Sequence, residues 1–198
     1  MAWASISRWV MRDSVETRAR TGGAELERVV YTAEDIAVRV AEMGREIGES
    51  YPATEPILAL GLLKGSFIFM ADLVRDIARP VTLDFLVASS YGAGTVTSGD
   101  VQLLYDPENT LEGKHVILVE DIVDSGTTMN RLIPMLERRG PRSLEICALL
   151  HKHVAPNLVK EPRWVGFDAP HEFLIGYGLD HSENFRNLPF IGSLKPPE

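Results

Sequence analysis

Apolar positions along the chain repeat with two different periods. Between Thr32 and Pro52 they recur as Ile36, Val40, Met43 and Ile47, the spacing of one helix face. We read a helix over VVYTAEDIAVRVAEMGREIGESY, with Thr32 as N-cap and Glu34 and Asp35 in the first turn, where the macrodipole favours acids. Pro52 and Pro56 end it. PILALGLLKGSFIFMADLVRDIA then reads as an apolar strand, a tight Lys-Gly turn and an amphipathic helix. VTLDFLVASSY is a second strand, GAGTVTSGD a Gly/Thr/Ser loop and VQLLYD a return strand, which predicts a hairpin with a long tip. HVILVED is a continuous apolar run, suited to a strand covered on both faces. SGTTMNRLIPMLERRG gives a loop and a helix, which Pro134 is expected to kink or to restrict in its first turns. SLEICALLHK is another strand, and beyond Pro156 the chain is loop-rich, with short strands around RWVGFD and EFLIGYGLD.

Strand and helix alternate from residue 57 to 152, which predicts a parallel, Rossmann-like α/β sheet with right-handed crossovers and flanking helices. Ligands of such sheets bind outside the carboxyl ends of the strands. Three of those ends, Lys64-Gly65, Glu120-Asp121 and Lys152, are expected to face one crevice. Phe67, Phe69, Phe85 and the methionines read as core, and Glu137-Arg138-Arg139 as a solvated helix end.

With 198 residues, 45% of them hydrophobic and 24% charged, the chain suits one substantial domain. A formal charge of -8 argues against a general nucleic-acid or anionic-membrane binder, so a polyanionic substrate would depend on local donors or a metal ion. Cys147 is the only cysteine, which excludes an intramolecular disulfide and favours a reducing, cytoplasmic setting. The Arg- and Ser-rich start could serve as a transit peptide, but Asp13 and Glu16 fit that poorly. It reads instead as an arm over residues 1–25, docked on the body or on a partner subunit.

Two phosphate motifs are missing. The sequence has no G-x-x-x-x-G-K-[ST], and GAGTVT lacks the third glycine and the following helix of a dinucleotide fingerprint. No Cys/His zinc spacing occurs, and His151 and His153 read as a strand end without partners. What stands out is VILVEDIVDSGTTMN. A buried strand that ends in carboxylates needs a partner for them, because desolvating an unpaired charge is costly. Glu120 and Asp121 can accept hydrogen bonds from vicinal sugar hydroxyls or face a Mg²⁺ ion. Ser125, Gly126, Thr127 and Thr128 sit where strand gives way to helix, and free N–H groups and hydroxyls there can surround a phosphate. Taken one by one these residues suit an N-cap with solvated acids; together they suit a ribose 5-phosphate.

VILVEDIVDSGTT resembles the signature of the type I phosphoribosyltransferases, which bind phosphoribosyl pyrophosphate (PRPP). LLKGSFIFMADL, DFLVASSYG, the strand ending in Lys152 and EFLIGYGLDHSENFRNLPFIG are similar, in order, to the hypoxanthine-guanine branch of that family, over residues 57 to 192. The resemblance implies one domain with a PRPP-binding core at 57–152 and a hood formed by the N-terminal segment and residues 160–198. It implies Mg²⁺-dependent transfer of phosphoribosyl from PRPP to hypoxanthine or guanine, giving IMP or GMP and pyrophosphate, by a homodimer or homotetramer. By the same resemblance, Glu120 and Asp121 hold the ribose hydroxyls, residues 125–128 hold the 5-phosphate and Asp124 handles the proton at purine N7. Lys152 donates to the 6-oxo group, Phe173 stacks on the base and the Leu174 backbone reads its edge. Lys64, Gly65 and Arg186 grip pyrophosphate, and the Leu63–Lys64 peptide is expected to be cis. Asp180 is placed both beside the purine and on the Mg²⁺, with Glu120 and Asp121 as further metal ligands. Ser90 and Tyr91 close over the site as part of a lid, and His181 is a further candidate contact.

Two departures bear on this. Thr127 stands where many relatives carry lysine, which leaves more of the phosphate to backbone N–H groups and hydroxyls. The flanks of Lys152, His-Lys-His, differ from the commoner ones and bear on purine choice. The rivals are the same fold using xanthine or another base, and a non-catalytic PRPP or nucleotide sensor.

Overall fold

The computed structural model describes residues 15–90 and 101–194. In chain order the elements are α1 (Val15–Arg20), β1 (Leu26–Tyr31), α2 (Ala33–Glu49), β2 (Ile57–Leu63), α3 (Phe67–Asp76), β3 (Val81–Ser90), β4 (Val101–Tyr105), β5 (His115–Val123), α4 (Thr127–Glu137), β6 (Ser143–His151), β7 (Trp164–Asp168), β8 (Leu174–Ile175) and β9 (Ile191–Leu194).

Six strands form a twisted α/β sheet in the order β4-β3-β2-β5-β6-β7, parallel except for the edge strand β4. The expected hairpin of β3 and β4 is present, and its tip lies outside the described residues. From β2 the chain steps to β3 on one side, and later to β5 on the other side of β2. That reversal opens a crevice beyond the carboxyl ends of β2 and β5, where open α/β sheets bind their ligands.

β5 is apolar from Val116 to Val119 because both faces are covered there. Ile117 and Val119 join the cluster beneath α2 and α3, while Val116 and Leu118 join the one beneath α4. The α2 stripe of Ile36, Val40, Met43 and Ile47 is buried as its spacing predicts. Each such side chain contributes roughly 1.5–3 kcal/mol relative to exposure. Thr32 caps the helix reciprocally: its hydroxyl accepts from the Asp35 N–H, and the Asp35 carboxylate accepts from the Thr32 N–H.

Two readings need correction. Val29 to Tyr31 belong to a strand, not to the start of α2, and that strand pairs antiparallel with β9 in a second sheet of order β1-β9-β8. Phe67 is 44% exposed at the start of α3, whereas Phe69 is fully buried in the core. The α4 helix runs through Pro134 to Glu137.

Candidate active site

The acids end up inside the molecule because β5 does not stop at them. It continues to Val123 in register with β6, pairing Glu120 with Ala148 and Val123 with His151. Glu120 is buried, its Oε2 has no hydrogen-bond partner, and burial pushes its pKa well above the usual carboxylate range. Burial likewise pushes Asp121 up to about 6, against the opposing hydrogen bond that its Oδ1 accepts from the Ile122 N–H at 2.9 Å.

Beyond β5 the backbone turns sharply. Gly126 takes a left-handed φ of +74°, and a Cβ there would lie 2.7 Å from Leu158 Cδ1. α4 starts at the next residue with no side-chain cap, so its first-turn N–H groups face the loop. Ser125 Oγ and Thr127 Oγ1 lie 3.1 Å apart beside them. A small cavity of about 80 Å³ is lined here by residues 120 and 122–129. Donors, hydroxyls and a helix N-terminus around a space of that size suit a phosphate group.

Asp124 and Lys152 meet across the neighbouring strand ends, with Nζ 2.9 Å from Oδ2. Lys152 is held there by its own N–H, which donates to the Val123 carbonyl at 3.0 Å. The histidines beside it have polar and ring contacts, while among the described residues no three His, Cys, Asp or Glu side chains cluster as a metal site. His153 Nε2 lies 2.6 Å from Asp168 Oδ1, the two imidazole rings pack with centroids 3.9 Å apart, and burial together with His153 lowers the pKa of His151.

At the end of β2 the Leu63–Lys64 peptide is cis. Gly65 sits so close to the acids that a Cβ would fall 1.7 Å from Asp121 Oδ2. Only a residue without a side chain fits there. Lys64 Nζ pairs with Glu183 at 3.1 Å, and Glu183 is also 3.5 Å from Arg186. Arg186 in turn holds Asp180 at 2.7 Å and donates to the Gly178 carbonyl, and its Nε is buried without a partner.

The structure thus places Glu120, Asp121, Lys64, Gly65, Asp180 and Arg186 in one connected region, and Asp124 with Lys152 beside the 125–128 loop. Phe173 is 56% exposed and meets His181 edge-on at 5.1 Å, while Leu174 is buried in β8. Ser90 closes β3, and Tyr91 lies outside the described residues. Glu183, which bridges both cations, was not among the expected site residues. The signal for it was present in the charge cluster DHSENFR.

Comparison with known proteins decides the family. The model of the phosphoribosyl transferase domain matches residues 30–182. The chain belongs to the phosphoribosyltransferase family. It is 45% identical over 170 residues to the hypoxanthine-guanine phosphoribosyltransferase of Dictyostelium discoideum, covering 84% of this chain and 94% of that one. It is 43% identical over 177 residues to the enzyme of the same name from Mycobacterium avium, covering 87% of each. Among solved structures, a hypoxanthine phosphoribosyltransferase from Staphylococcus aureus superposes with a TM-score of 0.83 at 39% identity, over 94% of this chain and 97% of the other. A hypoxanthine-guanine phosphoribosyltransferase from Bacillus anthracis gives 0.81 at 42% identity, over 86% and 100%. These relatives set the chain within the hypoxanthine-guanine branch. Among the described residues no helix is long and apolar enough to cross a membrane.

Proposed function

We propose that the protein transfers the 5-phosphoribosyl group of PRPP to N9 of hypoxanthine or guanine, releasing pyrophosphate, as a purine-salvage enzyme. The observation that carries the purine assignment is the Lys152–Asp124 pair at 2.9 Å. A 6-oxopurine presents an acceptor at O6 next to N7, so it can take the place of each residue for the other. Lys152 then donates to O6, and Asp124 accepts the proton at N7 as N9 attacks C1 of the ribose. Adenine presents an amine at the same position, and a lysine facing an amine leaves both donors unpaired. That kind of mismatch discriminates strongly. Phe173, more than half exposed at the rim, is free to stack on the base, and the Leu174 backbone lies beside it.

The rest of the site is assigned to PRPP. The uncapped α4 terminus with Ser125, Gly126, Thr127 and Thr128 takes the 5-phosphate. Glu120 and Asp121 accept from the ribose 2′ and 3′ hydroxyls, which supplies the partner that Glu120 Oε2 lacks. Lys64, the Gly65 backbone and Arg186 take the pyrophosphate. Among the described residues no three acids cluster into a metal site, so Mg²⁺ would be held by one or two of the carboxylates Glu120, Asp121 and Asp180 together with oxygens of PRPP itself. When bound, Mg²⁺ would neutralise charge on the pyrophosphate leaving group. The carboxylates near C1 place fixed negative charge where an oxocarbenium-like transition state gains most. We further assign residues 57–152 to the core and 160–198, with the N-terminal segment, to the hood, and place the enzyme in the cytoplasm.

Nucleotide formation from PRPP and Mg²⁺ with hypoxanthine, guanine, xanthine and adenine tests the reading. Turnover of the first two and none of adenine supports it, and the xanthine reaction fixes the breadth of the 6-oxopurine site. PRPP binding with no turnover of any base would make the protein a sensor.

A further inference from the structure

The two cations assigned to pyrophosphate come from distant parts of the chain. Lys64 follows β2 of the large sheet, and Arg186 lies between β8 and β9 of the small one. Neither sheet sets the distance between them. The exposed Lys64–Glu183 ion pair spans the gap, and two further contacts cross it as well. The first is backbone on backbone: a Cβ on Gly178 would lie 2.1 Å from the Gly65 carbonyl oxygen, so the chain can approach this closely only with glycine there. The second is a side-chain bond from the adjacent residue. The Tyr177 hydroxyl donates to Asp72 Oδ2 at 2.6 Å, and Asp72 lies on α3, the helix that starts directly after the Lys64-Gly65-Ser66 turn.

Tyr177 is tied in on its own side as well. It is buried and holds a left-handed φ of +48°, a conformation that bulky residues seldom adopt without a compensating contact. Its N–H donates to the Leu188 carbonyl at 2.8 Å, and the Gly178 N–H donates to the Arg186 carbonyl at 3.0 Å. The Arg186 side chain returns a bond to the Gly178 carbonyl at 2.7 Å. The turn carrying Tyr177 and the segment carrying Arg186 are therefore one hydrogen-bonded unit. Burial and the nearby Asp72 raise the phenol's pKa, which keeps its proton available for donation.

We propose that Tyr177 and Asp72 are positioning residues that fix the separation of the two sides of the pyrophosphate site, holding the Arg186 segment against the Lys64-Gly65 turn. The proposal rests on the assignment of Lys64, Gly65 and Arg186 to pyrophosphate. Neither residue touches the reacting atoms; each acts through the backbone it anchors.

Steady-state kinetics in both directions test this with Tyr177→Phe, which keeps the ring and removes only the hydroxyl. The expected result is a rise in KM for PRPP and for pyrophosphate of roughly five- to tenfold, the worth of one hydrogen bond, with KM for hypoxanthine unchanged. Asp72→Asn retains an acceptor oxygen and should stay near the parent enzyme, Asp72→Ala should behave as Tyr177→Phe, and the double variant should be no worse than either. A contact that merely stabilises the fold would lower the melting temperature and leave KM for PRPP and for pyrophosphate unchanged relative to KM for hypoxanthine. Unchanged pyrophosphate KM in Tyr177→Phe, beside a raised one in Arg186→Gln, overturns the positioning role. An unchanged value in Arg186→Gln as well overturns the pyrophosphate assignment, and the proposal with it.

Discussion

The Lys152 ammonium lies 2.9 Å from the Asp124 carboxylate, across the ends of two adjacent parallel strands. The lysine side chain is largely buried at 17% exposure, whereas Asp124 is half exposed. A buried cation that loses its partner carries the desolvation cost alone, so any base entering the site must satisfy Lys152 as well as Asp124. Lys152→Gln should therefore lower kcat/KM for hypoxanthine by about 10- to 150-fold, the range for losing a hydrogen bond to a charged group. KM for PRPP should hardly change. Steady-state kinetics with each substrate varied in turn would check it.

The buried carboxylates make the site sensitive to pH in a definite direction. Asp121 is raised to about 6 from an ordinary 3.8, so the folded state holds the proton more tightly than the unfolded one. Its contribution to stability is fully present below pH 4 and is lost as pH rises through 6. At neutral pH the ionised group then costs on the order of 2–3 kcal/mol. Asp121→Asn should raise the melting temperature at pH 8, with the gain shrinking toward pH 5, and should weaken PRPP binding. Thermal melts across that range, beside PRPP titrations, measure both effects.

Gly65 tolerates no side chain where it passes Asp121. Gly65→Ala places a Cβ at 1.7 Å from Asp121 Oδ2, so the carboxylate or the turn must move. We expect kcat/KM for PRPP to fall by roughly 100-fold or more, because displacement of a positioning group by about 1 Å can cost that much. The circular dichroism spectrum should be unchanged.

Glu183 pairs with both Lys64 and Arg186. Lys64 and Glu183 are each 66% exposed, so solvent screens their pairing and it is worth little. Glu183→Gln should accordingly tighten pyrophosphate binding by no more than about fivefold. Calorimetric titration with magnesium pyrophosphate is the measurement.

Much of this architecture is local in sequence and could be read there. The α2 stripe, the Thr32–Asp35 cap and the apolar run of β5 into its acids each declare themselves within a few residues. What escaped is non-local. β1 pairs with a strand more than 160 residues later, and its apolar Val29-Val30-Tyr31 runs straight into the N-cap of α2, which disguises it as helix. The partners of His153 and the Tyr177–Asp72 bond likewise depend on which loops the fold brings together. The roles of the site residues came from family likeness. Residue chemistry alone reached a ribose-phosphate site and went no further.

The most direct test is Asp124→Asn, assayed for nucleotide formation from hypoxanthine with PRPP binding measured in parallel. The variant keeps an oxygen for Lys152 but cannot accept the N7 proton. We expect turnover to fall by 10²- to 10⁴-fold, the usual worth of a general base, while PRPP binds as before. Turnover near that of the parent enzyme, or loss of PRPP binding together with activity, would contradict the role given to Asp124.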